Sequence, residues 1–583
     1  MRSDGDPPLY PRIAAVATAV ATVFVVLGVR LVGLTTGDES RQPAAAAANH
    51  FDIPAPRGTV WDRSGELLAT EGYVYEIGVD LPAIEGRDVA AFAAAVAPQI
   101  GRQPADVEAA IRAGQADKRL RWVSLARGVD AAAVQRLNAL QIGAGDAAVD
   151  LGTLGLTDER VPRRSFPLGA AAAHVTGMIN VDGEANYGAE AQYDAQLTGK
   201  AGMLSGYAGT DPRAFEPVQP GADLRLTIDR DIQVAASEAL AAAIAEQEAV
   251  GGTVIALDPA TGAILALASW PSYDPNNYAG TDPALFNDPA ISAIYEPGSV
   301  IKALTVAAAL DAGAIDPNMT YEDEGTIDVG GIHIANWDRL AHGHTTLTQM
   351  LRLSLNVGAV HVAQALGRER FYPALANFGF GAKTEVDLVG EVEGLIHWPH
   401  TDPGWWEGYL ASNSFGQGMS ATPLQVVVAM SALAADGNLP VPHILAETIP
   451  PEGPAQPTTP RIRRQVIAPA TARTVRAMLV DVVDNNVKHA AIPGYSVGGK
   501  TGTSQIPIPG GYDPEDTIAS FCGFLPAGEP RVVILTKVDR PKGIRGGDVA
   551  GPLFRKVAEA AIVALDIAPD RPVVPVSGQG DGR

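Results

Sequence analysis

Pro297-Gly298-Ser299-Val300-Ile301-Lys302-Ala303-Leu304-Thr305-Val306 is the stretch whose reading decides the fold. A Pro-Gly turn opens an apolar run that reaches Leu310 and stops near Gly313, the pattern of a buried helix. Ser299 and Lys302 stand three residues apart, which sets a hydroxyl and an amine on one face, one turn apart. A helix start favours negative charge, and Lys302 is the only ionisable residue between Val300 and Thr305. The flanking Val, Ile, Ala and Leu leave no polar face for a solvated lysine. A lysine desolvated in such surroundings loses basicity towards neutral pH and can take the proton of a serine. Ser and Lys at this spacing also occur by chance, so other segments have to carry part of the reading.

Two segments do. In Lys500-Thr501-Gly502-Thr503, preceded by Gly498-Gly499, the glycines let a ligand backbone lie close against a strand. Lys500 adds positive charge, and the hydroxyls of Thr501 and Thr503 donate hydrogen bonds. The plainer alternative is a hairpin edge with an incidental lysine. Ser354-Leu355-Asn356 falls between two helical segments, where it is either a helix cap or a hydroxyl and an amide directed into a cleft.

Around these segments, 253–257 and 263–268 read as strands joined by the turn Asp258-Pro259-Ala260-Thr261-Gly262, hence a hairpin. Thr346 with Gln349 and Thr422 with Gln425 are capping boxes, the second with Pro423 at the first helical position. Further strands are expected over 497–503 and 531–538, and an amphipathic helix over 551–565. Strands at both ends with helices between them imply an α/β (α+β) domain with a helical insert, spanning 220–566. Ahead of it, 51–219 reads as an elongated α+β region. Strands are expected at 60–62, 73–79 and 224–228, and helical composition over 88–113 and 130–140. The Pro-rich 450–460 reads as a surface loop and 567–583 as a disordered tail. No internal repeat is visible.

At 583 residues and 46% hydrophobic content the chain supports several packed domains. A net charge of −23 without any Lys/Arg cluster excludes a nucleic-acid surface. The single cysteine, Cys522, excludes an internal disulfide framework and a Cys-based zinc site, and its Phe, Gly and Leu neighbours make it a buried thiol. His342-Gly343-His344 lacks a third ligand, so no metal is expected, and no organic cofactor is implied. Residues 13–34 are mostly apolar, with Arg30 as the single charge, and long enough to span a bilayer. A cleaved signal peptide normally has a shorter apolar core of about 7–15 residues. The expectation is therefore a cytoplasmic tail (1–12), a single transmembrane anchor (13–34) and a linker (35–50). Arg2 and Arg12 before the span balance Arg30 and Arg41 within and after it, so charge leaves its orientation open.

In order, Ser299-x-x-Lys302, Ser354-x-Asn356 and Lys500-Thr501-Gly502 form a set that resembles that of penicillin-binding proteins and serine β-lactamases. Arg57-Gly58-Thr59-Val60-Trp61-Asp62-Arg63-Ser64-Gly65 looks like the signature opening the N-terminal region of class B, monofunctional penicillin-binding proteins. His174-Val175-Thr176-Gly177, Gly188-Ala189-Glu190 and Phe415-Gly416-Gln417-Gly418 fit the same class. The resemblance runs from about residue 51 to 565. It implies a penicillin-binding transpeptidase domain, a pedestal or dimerisation-type domain over 51–219, and a D,D-transpeptidase that cross-links peptidoglycan. In that reading Ser299 attacks the penultimate D-Ala carbonyl and Lys302 is its base. A positive Lys500 helps to keep Lys302 neutral, and Ser354 relays a proton to the departing D-Ala. Asn356 bonds the substrate amide and Lys302, while Lys500, Thr501 and Thr503 hold the terminal carboxylate beside Gly502. The backbone N–H groups of Ser299 and Thr503 form the oxyanion hole. Peptidoglycan stem peptides and β-lactams are the implied ligands, and a membrane glycosyltransferase and division-complex proteins the implied partners. Such a substrate puts the catalytic domain outside the cytoplasm, on a single-pass membrane anchor.

Four other readings compete, one of them a β-lactam sensor, which would need further membrane spans and a signalling domain that the sequence does not show. A D,D-carboxypeptidase or β-lactamase would use water as acceptor, but those enzymes rarely carry so long an N-terminal region with the 57–65 signature. A bifunctional enzyme would need a glycosyltransferase domain ahead of Pro220, for which no acidic motif is present. A non-catalytic scaffold would not need three intact motifs. Within class B, Gly177-Met178-Ile179-Asn180 and Gly511-Tyr512 ahead of Ala519-Ser520-Phe521 look more like the septal than the side-wall type.

Overall fold

The computed structural model describes residues 49–143, 148–206, 214–542 and 546–572. The expected anchor at 13–34, the tail 1–12, most of the linker 35–50 and residues 573–583 lie outside them. No helix among the described residues is long and apolar enough to cross a membrane. The described chain divides into two units. In the smaller, made of 49–55 and 200–219, the strands Asn49–Ile53, Gly202–Gly206 and Ala214–Glu216 form an antiparallel sheet in that order.

The larger unit holds 56–199 and the chain from 220 onward. Its N-terminal part is built on the long strand β1 (Leu67–Asp80), paired antiparallel with β2 (Trp122–Val129) on one edge and β3 (Leu156–Ser165) on the other. Helices α1 (Val89–Val96), α2 (Pro104–Ala116) and α3 (Ala131–Asn138) bury Phe92, Val96, Ile111 and Leu137 with Ile77 and Val79 of β1. The single helical stretch expected over 88–113 is interrupted because the chain turns at Gly101 with φ +67°, a conformation that costs little only for glycine.

Two of the signature residues of this part, Arg57 and Glu190, meet in one buried ion cluster. Arg57 Nε and Arg164 Nε each donate to a different oxygen of the Glu190 carboxylate at 2.7 Å, and Glu190 is fully buried. Next to Arg57, a Cβ on Gly58 would lie 1.8 Å from the Ala222 carbonyl oxygen. That close approach lets Val60–Trp61 run parallel to Asp223–Leu226, which pairs antiparallel with Leu445–Ile449. One sheet therefore continues across position 220. The Pro-rich 450–460 segment extends it, with Gln456–Pro457 pairing as an exposed edge rather than forming a free loop.

The C-terminal part is a five-stranded antiparallel sheet. Its strands are β4 (Gly251–Leu257), β5 (Ile264–Trp270), β6 (Gly498–Ile508), β7 (Gly511–Leu525) and β8 (Val532–Asp539), in the order β5-β4-β8-β7-β6. Every neighbour pair is antiparallel, so the α+β side of the expected class applies. The β4–β5 hairpin and the strands β6 and β8 lie where the sequence places them. Strand β7 is additional: its first half, with Asp513, Pro514, Glu515 and Asp516, has no strand composition and pairs with β6 alone, while from Ile518 onward the strand pairs with both β6 and β8.

Helix α4 (Arg230–Gln247) covers the sheet on the side that also receives the C-terminal helix. The insert between β5 and β6 contributes α5 (Ile301–Asp311), α6 (Leu347–Leu353), α7 (Asn356–Leu366), α8 (Pro423–Ala434) and α9 (Pro469–Asn485). Helix α8 is buried at every residue, packing on β4, β7 and β8, and both reciprocal bonds of its Thr422–Gln425 capping box are present. The same holds for Thr346 and Gln349 at the start of α6. The terminal helix α10 (Gly546–Ala564) begins five residues before the expected start, carrying Pro552 inside it. Contacts continue into the segment read as a tail: Asp570 accepts from the Ser496 backbone N–H at 2.7 Å, and Arg571 pairs with Asp484.

Candidate active site

Ser299 lies in the 3-10 turn Gly298–Val300, which runs directly into α5, and its side chain is half-buried. Gly298 has φ +59°, and its N–H donates to the Gly416 carbonyl at 3.0 Å. A Cβ on Gly416 would sit 2.2 Å from the Gly298 carbonyl oxygen, so the Phe415-Gly416-Gln417-Gly418 segment clasps the turn that carries the serine. One turn further, Lys302 is fully buried, as its apolar surroundings in sequence require.

The Lys302 amine has a complete set of partners. Nζ donates to the Ser354 carbonyl at 2.6 Å and to Asn356 Oδ1 at 2.8 Å, and lies 3.3 Å from Ser354 Oγ. The Phe415 ring centroid is 6.0 Å away. Burial holds the Lys302 pKa well below the ordinary lysine range, and the nearby Lys500 adds to the effect. The causes rank in that order, so the charge of Lys500 is the smaller influence on Lys302.

Ser354 and Asn356 reach this amine because of the break between α6 and α7. Ser354 ends α6 in the left-handed region with φ +59°, which turns the chain sharply before Asn356 opens α7. Of the two alternatives open in the sequence, the side chains of Ser354 and Asn356 face Lys302, and neither serves as the side-chain cap of α7, whose N-cap is Leu355. Asn356 is fixed from behind by its Nδ2, which donates to the Ala335 carbonyl at 2.9 Å. Asn336 next to it donates to Asp323 at 2.7 Å and accepts from the Val357 N–H at 3.2 Å. These residues had no signal in the sequence, because a backbone carbonyl and an asparagine in a loop carry no pattern.

Lys500 is also fully buried, which the sequence did not foretell. Its Nζ donates to Ser354 Oγ at 2.9 Å and lies 3.2 and 3.3 Å from the carbonyl and hydroxyl oxygens of Thr501. Burial lowers its pKa to about 7, so a bound anion would restore its charge by stabilising the protonated form. Thr503 Oγ1 accepts from the Gly546 N–H at the start of α10 at 3.0 Å, leaving its own hydrogen free to donate.

Strand β6 is the outer edge of the sheet, so half of its backbone groups point away from β7. The Thr503 carbonyl oxygen lies 3.4 Å from where a Gly298 Cβ would stand. In an antiparallel strand a residue's N–H and C=O lie on the same side, so the Thr503 N–H is also on the edge facing the Ser299 turn. The space that glycine leaves at 502 is used by the protein itself: a Cβ there would lie 2.3 Å from Ser520 Oγ and 3.0 Å from the Pro297 carbonyl. Elsewhere, His342 pairs with Asp338 and His344 with Glu322, each at a separate position.

A turn presents Ser299, and one helical turn behind it stands a desolvated amine bonded to Ser354 and Asn356, a set of groups that can activate a hydroxyl. A second hydroxyl connects that amine to another, and an open strand edge lies alongside.

Comparison with known proteins identifies the family. Residues 252–559 match the penicillin binding protein transpeptidase domain and 52–208 the penicillin-binding protein dimerisation domain. The probable peptidoglycan D,D-transpeptidase PenA of Neisseria gonorrhoeae is 30% identical over 586 residues, covering 96% of this chain and 94% of that protein. Stage V sporulation protein D of Bacillus subtilis is 34% identical over 436 residues, covering 72% of this chain and 67% of that protein. The crystal structure of penicillin-binding protein 3 from Mycobacterium tuberculosis complexed with aztreonam superposes with a TM-score of 0.67 at 27% identity, covering 90% of this chain and 99% of that one. With a transpeptidase domain behind a dimerisation domain, and with a relative matched over 94% of its length, the chain belongs to the class B penicillin-binding protein transpeptidase family.

Proposed function

We propose that this protein cross-links peptidoglycan by a two-step serine acyl transfer and that the residues converging on Ser354 carry the chemistry. Ser299 Oγ attacks the carbonyl carbon of the penultimate D-Ala of a stem peptide while its proton passes to neutral Lys302 Nζ. The proton then travels through Ser354 to the amide nitrogen of the terminal D-Ala, the C–N bond breaks, and D-Ala leaves. An amine of a neighbouring stem peptide attacks the ester, loses a proton to the same relay and regenerates Ser299. Lys500, Thr501 and Thr503 hold the terminal carboxylate, Asn356 the substrate amide. The backbone N–H groups of Ser299 and Thr503 receive the oxyanion, a contribution of about 3–4 kcal/mol per donor. The observation that carries this reading is the approach of Lys302 and Lys500 to the single hydroxyl of Ser354.

The 13–34 span is read as a membrane anchor with the catalytic domain outside the cytoplasm, where the substrate is found. A septal role, with a membrane glycosyltransferase and division proteins as partners, is the reading that the 177–180 and 511–524 segments favour. The deciding experiment supplies the purified protein with polymerised, uncross-linked peptidoglycan and analyses the digested product by mass spectrometry. Cross-linked dimers with released D-Ala are the expected outcome. Shortened stems without dimers would mean a carboxypeptidase, and no change with no covalent penicillin adduct would mean a scaffold.

A further inference from the structure

Three residues before Ser299, Glu296 is 6% exposed and has no place in the reaction just described. Its Oε1 accepts from the Gly418 N–H at 2.9 Å and from the Tyr512 hydroxyl at 3.2 Å. Oε2 is buried and has no hydrogen-bond partner among the described residues. A carboxyl in such a place costs more than an apolar side chain of the same size, because one of its oxygens has given up water for nothing. What an apolar side chain cannot do is accept from two donors that belong to different segments.

The three segments are the ones that frame the site. Glu296 precedes the turn of Ser299, and Gly418 ends the loop that clasps this turn. Tyr512 opens β7 opposite Pro507, next to the Pro509-Gly510 tip of the hairpin. The other strand of that hairpin, β6, carries Lys500, Thr501 and Thr503. A second tie runs in parallel, from Gln417 Nε2 to Gln505 Oε1 at 3.2 Å. The hydroxyl of Tyr512 is held, yet 37% of the residue stays exposed. Pro507 lies four residues past Thr503 on β6, about 13 Å at strand rise. A donor peptide whose carboxylate sits at Thr501 and Thr503, and whose carbonyl meets the Thr503 N–H, has its remaining residues directed along β6 towards this tip.

We propose that Glu296 is a positioning residue that latches the tip of the β6–β7 hairpin to the Ser299 turn and to Gly418. In this way it sets how the acyl portion of the donor is accepted beyond the scissile bond. The proposal rests on the transpeptidase reading above.

The test measures second-order acylation rates of the full chain with two penicillins that share nucleus and carboxylate, one with an acetyl and one with a phenylacetyl side chain. In Tyr512→Phe the acetyl compound should react within about twofold of wild type. The ratio of the two rates should change by about fivefold, the effect of losing one hydrogen bond. Glu296→Leu, without an acceptor, should change the ratio in the same direction, and the double variant should add nothing to it. Glu296→Gln, whose amide oxygen still accepts from both donors, should keep the wild-type ratio. An unchanged ratio in Tyr512→Phe overturns the latch, whether or not Glu296→Leu folds. Equal slowing of both compounds with a lowered melting temperature assigns Glu296 a structural role only and overturns it as well. A wild-type protein acylated by neither compound overturns the transpeptidase reading first, and the latch with it.

Discussion

Lys302 and Lys500 approach one oxygen: Ser354 Oγ is 3.3 Å from the amine of the first and 2.9 Å from the amine of the second. Both lysines are fully buried, and two ammonium groups sharing one hydroxyl would repel each other in a medium that screens little. Burial pushes both down the pH scale, Lys500 to about 7, and on Lys302 the charge of Lys500 adds to the effect of burial. A neutral amine has two hydrogens and one lone pair. The Ser354 carbonyl and Asn356 Oδ1 occupy the hydrogens, which leaves the lone pair for a hydroxyl proton.

Ser299→Ala should abolish covalent labelling by a fluorescent penicillin, and Lys302→Ala should slow it by about 10²–10⁴-fold, the usual contribution of a general base. Melting temperatures decide whether the loss is chemical, since both variants are expected to stay folded. A Lys302→Ala protein that labels at the wild-type rate removes Lys302 as the base.

Acylation should rise with pH as Lys302 loses its proton and fall on the acid side as it gains one. Removing the Lys500 charge in Lys500→Gln makes Lys302 more basic, so the acid limb should move to higher pH. The movement should be smaller than the displacement that burial itself causes, because burial is the larger influence. A pH profile with an electrophile lacking a carboxylate isolates this effect, and an unmoved limb leaves Lys500 with carboxylate recognition alone. Lys500→Arg should keep part of the activity, its larger planar head being a poor fit to a fully buried site.

Gly416→Ala should cost at least about 2 kcal/mol, since it combines a left-handed backbone with a backbone clash. Gly416 has φ +80°, and the added Cβ would lie 2.2 Å from the Gly298 carbonyl. Because that carbonyl belongs to the turn carrying Ser299, penicillin labelling should fall even at temperatures where the protein remains folded. Normal labelling at low temperature would mean that the clasp stabilises the fold without aligning the serine.

Glu190→Gln should destabilise the protein by about 3–5 kcal/mol, the cost of breaking a buried ion pair from one side. Arg164 pairs with that carboxylate alone, and Arg57 shares its pairing between Glu190 and Asp194. Urea denaturation gives the loss, and labelling below the transition should be unaffected, since none of these groups is among the residues assigned to the chemistry.

A protein beginning at Asn49 should be soluble without detergent and should acylate as the full chain does, the apolar 13–34 segment having been assigned location and not chemistry. An insoluble or folded but unreactive protein would give the removed residues a further role.

Helix starts, the β4–β5 hairpin and the three motifs were legible in the sequence because each rests on neighbours a few residues apart. Capping boxes, Pro-Gly turns and the Ser-x-x-Lys spacing are local patterns, and local patterns survive in one dimension. The desolvation of Lys302 was legible for the same reason, since its own helix supplies the apolar surroundings. The tertiary structure alone decided what depends on partners far along the chain. Lys500 lies on a Gly-rich strand with nothing beside it to signal full burial, and only pairing with β7 and packing under Ser354 exclude water from it. Strand β7 is held by β6 alone in its polar first half and lies between β6 and β8 only from Ile518 onward. Asn356 is aimed by a carbonyl twenty-one residues earlier, and Glu296 meets donors 122 and 216 residues away. The order of the motifs determined which chemistry was possible, while the burial of Lys500 and the groups framing the serine followed from long-range contacts.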